Sequence, residues 1–231
     1  SIDLRVQGVL ENELAAAARE TGAKGAVGII TDVQTGEVLG MASWPTSEGL
    51  NRATSAHYEM GSVFKSFTVA AGLDTGRADM GTLFDASQAF MIGNRRITDF
   101  HATNQVLTLE EVYLHSSNIG TSRLAVEMGP TVMKDYFTRL GLLDAAPIEL
   151  KESARPRRPH DWSDTTLASL SFGYGIMITP VQMVAAMGAL TNGGRYMPLT
   201  LRKGGNAGVE GRRVVSEATS LTILDLMRRN V

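Results

Sequence analysis

The first pattern along the chain has the period of an amphipathic helix. In residues 4–21 four apolar side chains recur on one stripe, and Gly22 follows as a typical helix end. The stripe consists of Leu10, Leu14, Ala17 and Ala18. Residues 23–31 and 37–44 are rich in Val, Ile and Leu, which predicts two strands joined by a hairpin loop at residues 32–36.

A second amphipathic pattern begins near Gly61 and runs to about Gly76, where glycine is again a natural end. Its apolar positions are Phe64, Phe67, Val69, Ala70 and Ala71. Residues 45–56 before it read as a polar connection. This order places the start of the second helix beside the edge of the predicted sheet.

From about Asp79 the pattern becomes mainly helical. The Thr-Leu-Glu-Glu stretch at residues 108–111 has the form of a capping box and predicts a short helix. A polar cluster at residues 115–118 separates it from a further helix, which Gly129-Pro130 breaks. The remaining predicted elements are a helix at 131–140, a loop at 142–164, a glycine-rich turn at 171–175, a helix from Thr179 to about Asn192, and a helix at 218–227.

Composition narrows the class of protein. The 231 residues are 43% hydrophobic and 20% charged, as in an ordinary globular protein, and suffice for one large domain or two lobes that share a core. Lys plus Arg is 22 against 24 for Asp plus Glu, so no basic excess is present to neutralise nucleic-acid phosphates. The absence of cysteine excludes thiol nucleophiles, disulfides and thiolate metal sites.

The chain lacks the usual targeting signals. No apolar run is long enough to cross a bilayer, and no charged-then-apolar leader opens the sequence. The last residues fall inside a helical pattern. We therefore expect a fragment of a longer protein.

Ser62 and Lys65 are the candidate catalytic pair. They stand three residues apart at the start of the second helix, so they share a face and the lysine amine points back at the serine hydroxyl. A serine is a poor nucleophile unless a base takes its proton, which a lysine with a lowered pKa can do. The helix start disfavours a protonated lysine and offers N–H groups to an oxyanion. The same spacing also fits an exposed cap serine and a solvated lysine.

Ser116 and Asn118 favour the interpretation of Ser62 and Lys65 as a catalytic pair over that of a cap serine and a solvated lysine. Ser62-x-x-Lys65 followed by Ser116-x-Asn118 is the order of the first two motifs of penicillin-recognising serine acyltransferases. Three longer strings then resemble a class B penicillin-binding protein: Tyr-Glu-x-Gly-Ser-x-x-Lys, His-Ser-Ser-Asn-Ile-Gly, and Ser-Phe-Gly-Tyr-Gly-Ile before Thr-Pro-x-Gln. Residues 96–101 (Arg-Ile-Thr-Asp-Phe-His), with Pro156 and Trp162, most resemble its division-specific, FtsI-like branch.

The resemblance implies an α/β (α+β) transpeptidase fold, in which helices flank a sheet and an all-helical lobe is added. Residues 1–231 would form a partial transpeptidase domain that stops before the last strands. Residues 1–60 and 180–231 would form the sheet lobe and residues 61–179 the helical lobe. The active site would lie in the cleft between the lobes.

The resemblance also implies a peptidoglycan D,D-transpeptidase, a penicillin target in septal cell-wall synthesis. Ser62 would attack the penultimate D-alanine of a stem pentapeptide, and Lys65 would be the base. Ser116 would relay a proton to the leaving group, while Asn118 would orient Lys65 or the substrate amide. No cofactor and no metal ion is implied.

The family's third motif, Lys-Thr-Gly or Lys-Ser-Gly, is absent from the sequence. Lys203-Gly204-Gly205 is the nearest string but lacks the hydroxyl residue, and in the family the motif follows a helix like that at 218–227. We therefore expect the chain to stop before it. The motif would keep Lys65 neutral, bind the substrate carboxylate and supply a second oxyanion donor. Met60, where many relatives carry proline, should only loosen the turn before Ser62.

The partners follow from the same resemblance. They are peptidoglycan stem peptides, β-lactams, and divisome proteins that include a lipid-II polymerase, with no nucleic acid. The parent protein would act at the periplasmic face of the bacterial inner membrane, held there by an N-terminal anchor that this chain does not contain.

Other interpretations stay open at this point. Without the third motif the chain fits a non-catalytic module that binds penicillin or muropeptides. A generic Ser/His/Asp hydrolase would use one of the four histidines, but the sequence has no Gly-x-Ser-x-Gly elbow. A metal site built from Asp99, His101 and His115 lacks a ligand spacing on one helix. The arginines at 155–158 are spaced by proline, which favours an extended, solvated surface segment.

Overall fold

The computed structural model describes residues 2–230, apart from the side chain of Glu48. Ser1 and Val231, which the predicted sheet lobe includes, lie outside the described residues. The helices of this part of the chain are α1 (Leu4–Thr21), α2 (Arg52–Ser55), α3 (Lys65–Asp74), α4 (Leu109–Leu114), α5 (Asn118–Arg139), α6 (Asp164–Leu170), α7 (Pro180–Thr191) and α8 (Glu217–Arg229). The strands are β1 (Ala26–Thr31), β2 (Val38–Trp44), β3 (Leu83–Asp85), β4 (Phe90–Ile92), β5 (Arg95–Ile97), β6 (Val106–Thr108), β7 (Arg195–Tyr196) and β8 (Arg212–Arg213). None of these helices has the length and apolar character needed to span a membrane.

The N-terminal helix and hairpin form as the sequence pattern predicts. The Asp3 side chain caps α1 by accepting the N–H of Arg5, and Gly22 ends the helix in the left-handed conformation (φ 64°). β1 and β2 pair antiparallel, with Ala26 opposite Trp44. The predicted helix and hairpin are both confirmed.

Helices cover both faces of this hairpin. On one face Gly28 and Gly40 leave room for Leu10 of α1, since a Cβ at these positions would lie 2.7 and 3.2 Å from its side chain. Val27 and Ile29 line a groove with side chains of α7. Neighbouring strand residues point to opposite faces, so α1 and α7 lie on opposite sides. The sheet is flanked by helices, as predicted.

α3 is the central helix of the molecule. Eight of its ten residues are buried, and α5 and α8 pack against it. Gly72 permits the close approach of α5, because a Cβ there would lie 2.9 Å from Leu124. At the C-terminal end of α3, Asp74 accepts hydrogen bonds from the Tyr136 hydroxyl (2.6 Å) and the Ser216 N–H (2.7 Å). These contacts hold α3 against its neighbours along its length.

Residues 83–108 contain strands, so the prediction of an all-helical lobe at 61–179 is wrong for this stretch. They contain two small antiparallel pairs, β3 with β6 and β4 with β5. Each strand has three residues, too few for alternation to be distinguished from a helical period.

The polar connection at 45–56 also contains more structure than predicted: a 3₁₀ turn (Thr46–Glu48) and α2, whose N-terminus Asn51 caps.

α5 is interrupted where the sequence predicts a break. Gly129 has non-helical torsion angles (φ 77°, ψ 173°) directly before Pro130. Proline cannot donate a helical hydrogen bond and clashes with the preceding turn, so the helix changes direction here. The predicted break is confirmed.

Candidate active site

Ser62 lies in a 3₁₀ turn (Gly61–Phe64) that leads directly into α3, of which Lys65 is the first residue. Gly61 turns the chain with φ 58°, a conformation that glycine adopts without strain. Side chains three residues apart in a 3₁₀ turn eclipse each other, so Ser62 and Lys65 stand on one face. Ser62 is exposed, whereas Lys65 is 2% exposed. An accessible hydroxyl is thus held against a buried amine.

The Lys65 amine connects two serines. Its Nζ donates to Ser62 Oγ at 3.1 Å, to Ser116 Oγ at 2.8 Å and to the Ser116 carbonyl at 2.5 Å. An ammonium has three N–H donors, and these contacts use all of them. A neutral amine at this position has a lone pair within reach of either hydroxyl. The arrangement is a continuous path of hydrogen bonds from Ser62 through Lys65 to Ser116.

Burial lowers the pKa of Lys65 from 10.5 to about 8, because the charged amine loses its hydration. The Asp99 carboxylate opposes this effect and raises the pKa. At neutral pH a far larger fraction of this amine is unprotonated than of an exposed lysine. Lys65 therefore meets the main chemical requirement for a general base.

Ser116 occupies the turn between α4 and α5. Its φ of 54° is in the left-handed region, which costs a non-glycine residue about 1–2 kcal/mol. The Ser116 N–H binds the Tyr113 carbonyl at the end of α4, and the turn directs the Ser116 carbonyl and hydroxyl to Lys65. The polar cluster predicted between two helices at 115–118 is confirmed.

Asn118 is the first residue of α5 and lies beside this group. Its side-chain amide donates to the Thr98 carbonyl at 3.0 Å. The structure therefore brings Ser62, Lys65 and Ser116 into direct contact and turns the Asn118 side chain toward the preceding loop. The role of Asn118 toward Lys65 or a substrate amide stays a prediction.

Asp99 is a residue of this site that the sequence does not predict to act with Ser62, Lys65 and Ser116. Its Oδ2 accepts the Ser117 hydroxyl (2.8 Å) and its Oδ1 accepts the Ile119 N–H (2.9 Å). β6 and α4 separate Asp99 from these residues in the chain, so no local spacing connects them. In the sequence it stands in the 96–101 segment that carries the FtsI-like resemblance, and the only role suggested for it is that of a ligand in the metal-site alternative.

The glycine-rich loop after α6 braces the chain just before Ser62. Gly173 (φ 86°) packs so closely on Gly61 that a Cβ would lie 2.2 Å from the Gly61 carbonyl oxygen. Glu59 accepts the N–H of Gly175 at 2.8 Å and holds the other end of the loop. The predicted turn is confirmed, and its first glycine is required for backbone packing.

A cavity of about 410 Å³ opens in front of the two serines. Its walls are Ser62, Val63, Lys65, Ser66, Tyr113, Ser116, Met187, Met227 and Asn230. It shares Val63 and Met187 with an apolar cavity of about 560 Å³ beside β1. Space for a ligand therefore extends to both sides of Ser62.

The histidines of the hydrolase alternative make other contacts. A ring nitrogen of His57 lies 2.7 Å from the Arg155 carbonyl oxygen, and His101 packs edge-on against Phe100. His115 ends α4 as its C-terminal cap residue. Among the described residues, the basic side chain with a hydrogen bond to Ser62 is Lys65.

Residues 26–231 match the family described as "Penicillin binding protein transpeptidase domain". The match includes the serine–lysine–serine site and nearly all of the described elements. The chain belongs to the penicillin-binding protein transpeptidase domain family.

Two curated proteins and one solved structure give the finer similarity. The chain is 52% identical to "Probable peptidoglycan D,D-transpeptidase FtsI" of Caulobacter vibrioides, over 100% of this chain and 41% of that protein. It is 32% identical to "Peptidoglycan D,D-transpeptidase FtsI" of Escherichia coli (strain K12), over 98% of this chain and 40% of that protein. The apo transpeptidase domain of Burkholderia pseudomallei penicillin-binding protein 3 superposes with a TM-score of 0.92 at 32% identity, over 99% of this chain and 69% of that one.

These similarities confirm the α/β transpeptidase fold class and the FtsI-like resemblance that the sequence predicts. The chain spans about two-fifths of the length of the curated relatives it matches.

Proposed function

We propose that this chain is the catalytic region of a serine acyltransferase, a peptidoglycan D,D-transpeptidase, in which Ser62 is the nucleophile, Lys65 the base and Ser116 the proton relay. The observation that supports this most directly is the buried Lys65 amine in hydrogen-bond contact with both hydroxyls. Acyl transfer needs a nucleophile, a base within reach and a proton path to the leaving amine. All three groups lie on one wall of the cavity.

The acylation step follows from this geometry. Neutral Lys65 takes the proton of Ser62 as the serine oxygen forms a bond to the carbonyl carbon of the penultimate D-alanine. The carbonyl oxygen becomes an oxyanion, which free N–H groups at the helix start can stabilise. When the amide C–N bond breaks, the proton on Lys65 passes through the Ser116 hydroxyl to the leaving nitrogen. Free D-alanine departs and an ester on Ser62 remains.

The second half of the reaction reverses these proton movements. An amine from a neighbouring stem peptide attacks the ester carbonyl, and its proton passes to Lys65. The Ser62 oxygen leaves and recovers a proton, so one amide bond has replaced another. A β-lactam would enter the same first step, but its leaving nitrogen stays tethered to the acyl group. Ser62 would then remain acylated.

Asn118 keeps its predicted place in this proposal. Its amide is bound to the Thr98 carbonyl, which fixes the side chain beside Ser116 at the start of α5. From there it would orient Lys65 or the substrate amide once a ligand fills the cavity.

The setting proposed for the intact protein rests on its FtsI-like relatives. It would be held by an N-terminal anchor at the periplasmic face of the inner membrane and act with divisome proteins, including a lipid-II polymerase, in septal wall synthesis. The Lys-Thr-Gly motif, absent from these 231 residues, would belong to the intact protein.

Mass spectrometry of the full-length protein after incubation with a labelled penicillin tests the reaction. We expect one covalent adduct, mapped to the peptide that contains Ser62 and lost in Ser62→Ala. Lys65→Ala should slow labelling by a factor of about 10² to 10⁴, the usual contribution of a general base. The exposed Lys134 provides the control, and Lys134→Ala should label at the normal rate.

Two results would contradict this proposal. Non-covalent binding of the penicillin without an adduct would favour the non-catalytic binding module. An adduct on a residue other than Ser62 would exclude the assigned nucleophile.

A further inference from the structure

The Asp99 carboxylate makes two hydrogen bonds to the residues that directly follow Ser116. Its two carboxylate oxygens accept the Ser117 hydroxyl and the Ile119 N–H, at 2.8 and 2.9 Å. Next to it, the Thr98 carbonyl accepts the Asn118 amide. Three hydrogen bonds therefore join residues 98–99 to the first turn of α5. The carboxylate also lies at the positive end of a long helix, where a negative charge is favoured.

The turn needs such support because Ser116 has a conformation that it would not adopt alone. A serine with φ 54° persists only where its surroundings hold it. On the preceding side, the Ser116 and Ser117 N–H groups bind carbonyls at the end of α4. On the following side, the Ser117 hydroxyl is held by Asp99. Ser116 is thus clamped from both directions with its carbonyl and hydroxyl on Lys65.

Asp99 also acts on Lys65 through its charge. It is the carboxylate whose field opposes the effect of burial on the lysine amine. On α4, the titratable Tyr113 lines the same cavity but binds the Ser66 hydroxyl. On α4, Glu110 pairs with Arg229 of α8, and Glu111 accepts the Thr108 N–H of its capping box.

We propose that Asp99 is a positioning residue for the acyl transfer, whose carboxylate holds the Ser116 turn against Lys65 and whose negative charge acts on the lysine amine. The inference rests on the proposed function of Ser62 and Lys65. It assigns a role to a residue outside the three motifs of the sequence. It also predicts that one substitution can remove the charge of Asp99 while another removes its hydrogen bond to the turn, so that the two effects can be measured separately.

The pH profile of acylation separates the two roles. Asp99→Asn keeps one acceptor oxygen and removes the charge, so the pKa of Lys65 should fall further. Lys65 is a base only when neutral, and the rise of the acylation rate with pH should therefore move to lower pH. Ser117→Ala removes the hydrogen bond to Asp99 together with the cap that this hydroxyl provides to the Gly120 N–H, and it keeps the charge. Its profile should therefore stay in place while its maximal rate falls by about tenfold, as expected for a misplaced catalytic group.

Asp85 offers a matched control. Like Asp99, it accepts one backbone N–H (3.0 Å) and one serine hydroxyl (2.5 Å), both from Ser87. Asp85→Asn should leave the position and the height of the profile unchanged.

Each variant is made in the full-length protein, and the rate of labelling of Ser62 by a fluorescent penicillin is measured between pH 6 and 10. Thermal unfolding of each variant identifies any loss of fold.

The outcomes distinguish the two proposals. If the wild-type protein is labelled but Asp99→Asn has the profile of the wild type, the role of Asp99 is excluded and the proposed function stands. If Asp99→Asn only lowers the unfolding temperature without moving the profile, Asp99 is structural and the inference is again overturned. If the wild-type protein is not labelled at Ser62, the proposed function fails first.

Discussion

Ser116, the residue proposed as the proton relay, has an unfavourable backbone conformation. Its φ is 54°, and in this conformation its hydroxyl and its carbonyl both contact Lys65. Residues with strained torsion angles are often found where geometry matters more than stability. A glycine at this position would relieve the strain, but it would also remove the hydroxyl that is proposed to relay the proton.

A pair of substitutions at Ser116 separates strain from chemistry. Ser116→Ala and Ser116→Gly both remove the hydroxyl and should slow acylation of Ser62 to a similar extent. Ser116→Gly should be more stable than Ser116→Ala by about 1 kcal/mol, because only glycine adopts this φ without cost. Urea unfolding and penicillin labelling of both variants measure the two effects. Equal stability of the two variants would show that the turn is not strained.

At the scale of elements, the active-site helix is positioned by backbone packing as much as by side chains. The glycine-rich loop contacts the turn before Ser62 through Gly173, where no Cβ can be accommodated. Gly175 in the same loop also has a positive φ, 82°, but a Cβ there would lie 4.0 Å from its nearest neighbour, the Leu170 side chain. An alanine at either position would bear the strain of a positive φ, but only at Gly175 is there room for its Cβ.

This difference leads to a prediction for the loop. Gly175→Ala should cost only the strain of a positive φ, about 1–2 kcal/mol. Gly173→Ala adds a clash with the Gly61 backbone and should cost more, and it should also slow acylation because the Ser62 turn must shift. The free energy of unfolding and the labelling rate of both variants are the measurements. Equal effects of the two substitutions would show that the contact with Gly61 is unimportant.

Elements determined by short-range interactions could be predicted from the sequence. The capping boxes at Thr108 and Thr179 each form between residues three apart, and both are present in the structure. Ser62 and Lys65 are likewise one turn apart, so their contact follows from local geometry. The pairs β3–β6 and β4–β5 were not predicted, because strands of three residues depend on partners that a local pattern does not contain.

Contacts in the site between residues far apart in the chain could be predicted only from the family resemblance, or could not be predicted at all. The contact of Lys65 with Ser116 joins two motifs that are far apart in the chain, and their residue types alone are also those of a plain helix cap. Asp99 has no motif of its own, and its position depends on how the small hairpins pack against α5. The physical reason is that tertiary packing, and not sequence spacing, sets these distances.

At the scale of the whole molecule, one core serves both predicted lobes. The buried cluster includes Val38 and Ala53 from the predicted sheet lobe, Phe67 and Leu124 from the helical lobe, and Leu226 from α8. The division into lobes of 1–60 with 180–231 and of 61–179 stays a prediction. A shared core favours cooperative unfolding of the two parts.

The two tryptophans allow this to be measured. Trp44 lies in β2 of the predicted sheet lobe, and Trp162 packs against Phe137 in the helical lobe. Single-tryptophan variants, Trp44→Phe and Trp162→Phe, report each lobe by fluorescence during urea unfolding. We expect the midpoints to coincide once the stability of each variant is checked by circular dichroism. Two transitions that differ between fluorescence and circular dichroism would show lobes that unfold separately.

The measurement that tests the central claim most directly is the pH dependence of acylation of Ser62 in the full-length protein. Burial places the pKa of Lys65 at about 8, and only the neutral amine can take the serine proton. The labelling rate should therefore fall about tenfold per pH unit below this value and level off above it. A rate that is independent of pH between 6 and 9, or that rises only near the ordinary pKa of lysine, would contradict Lys65 as the base.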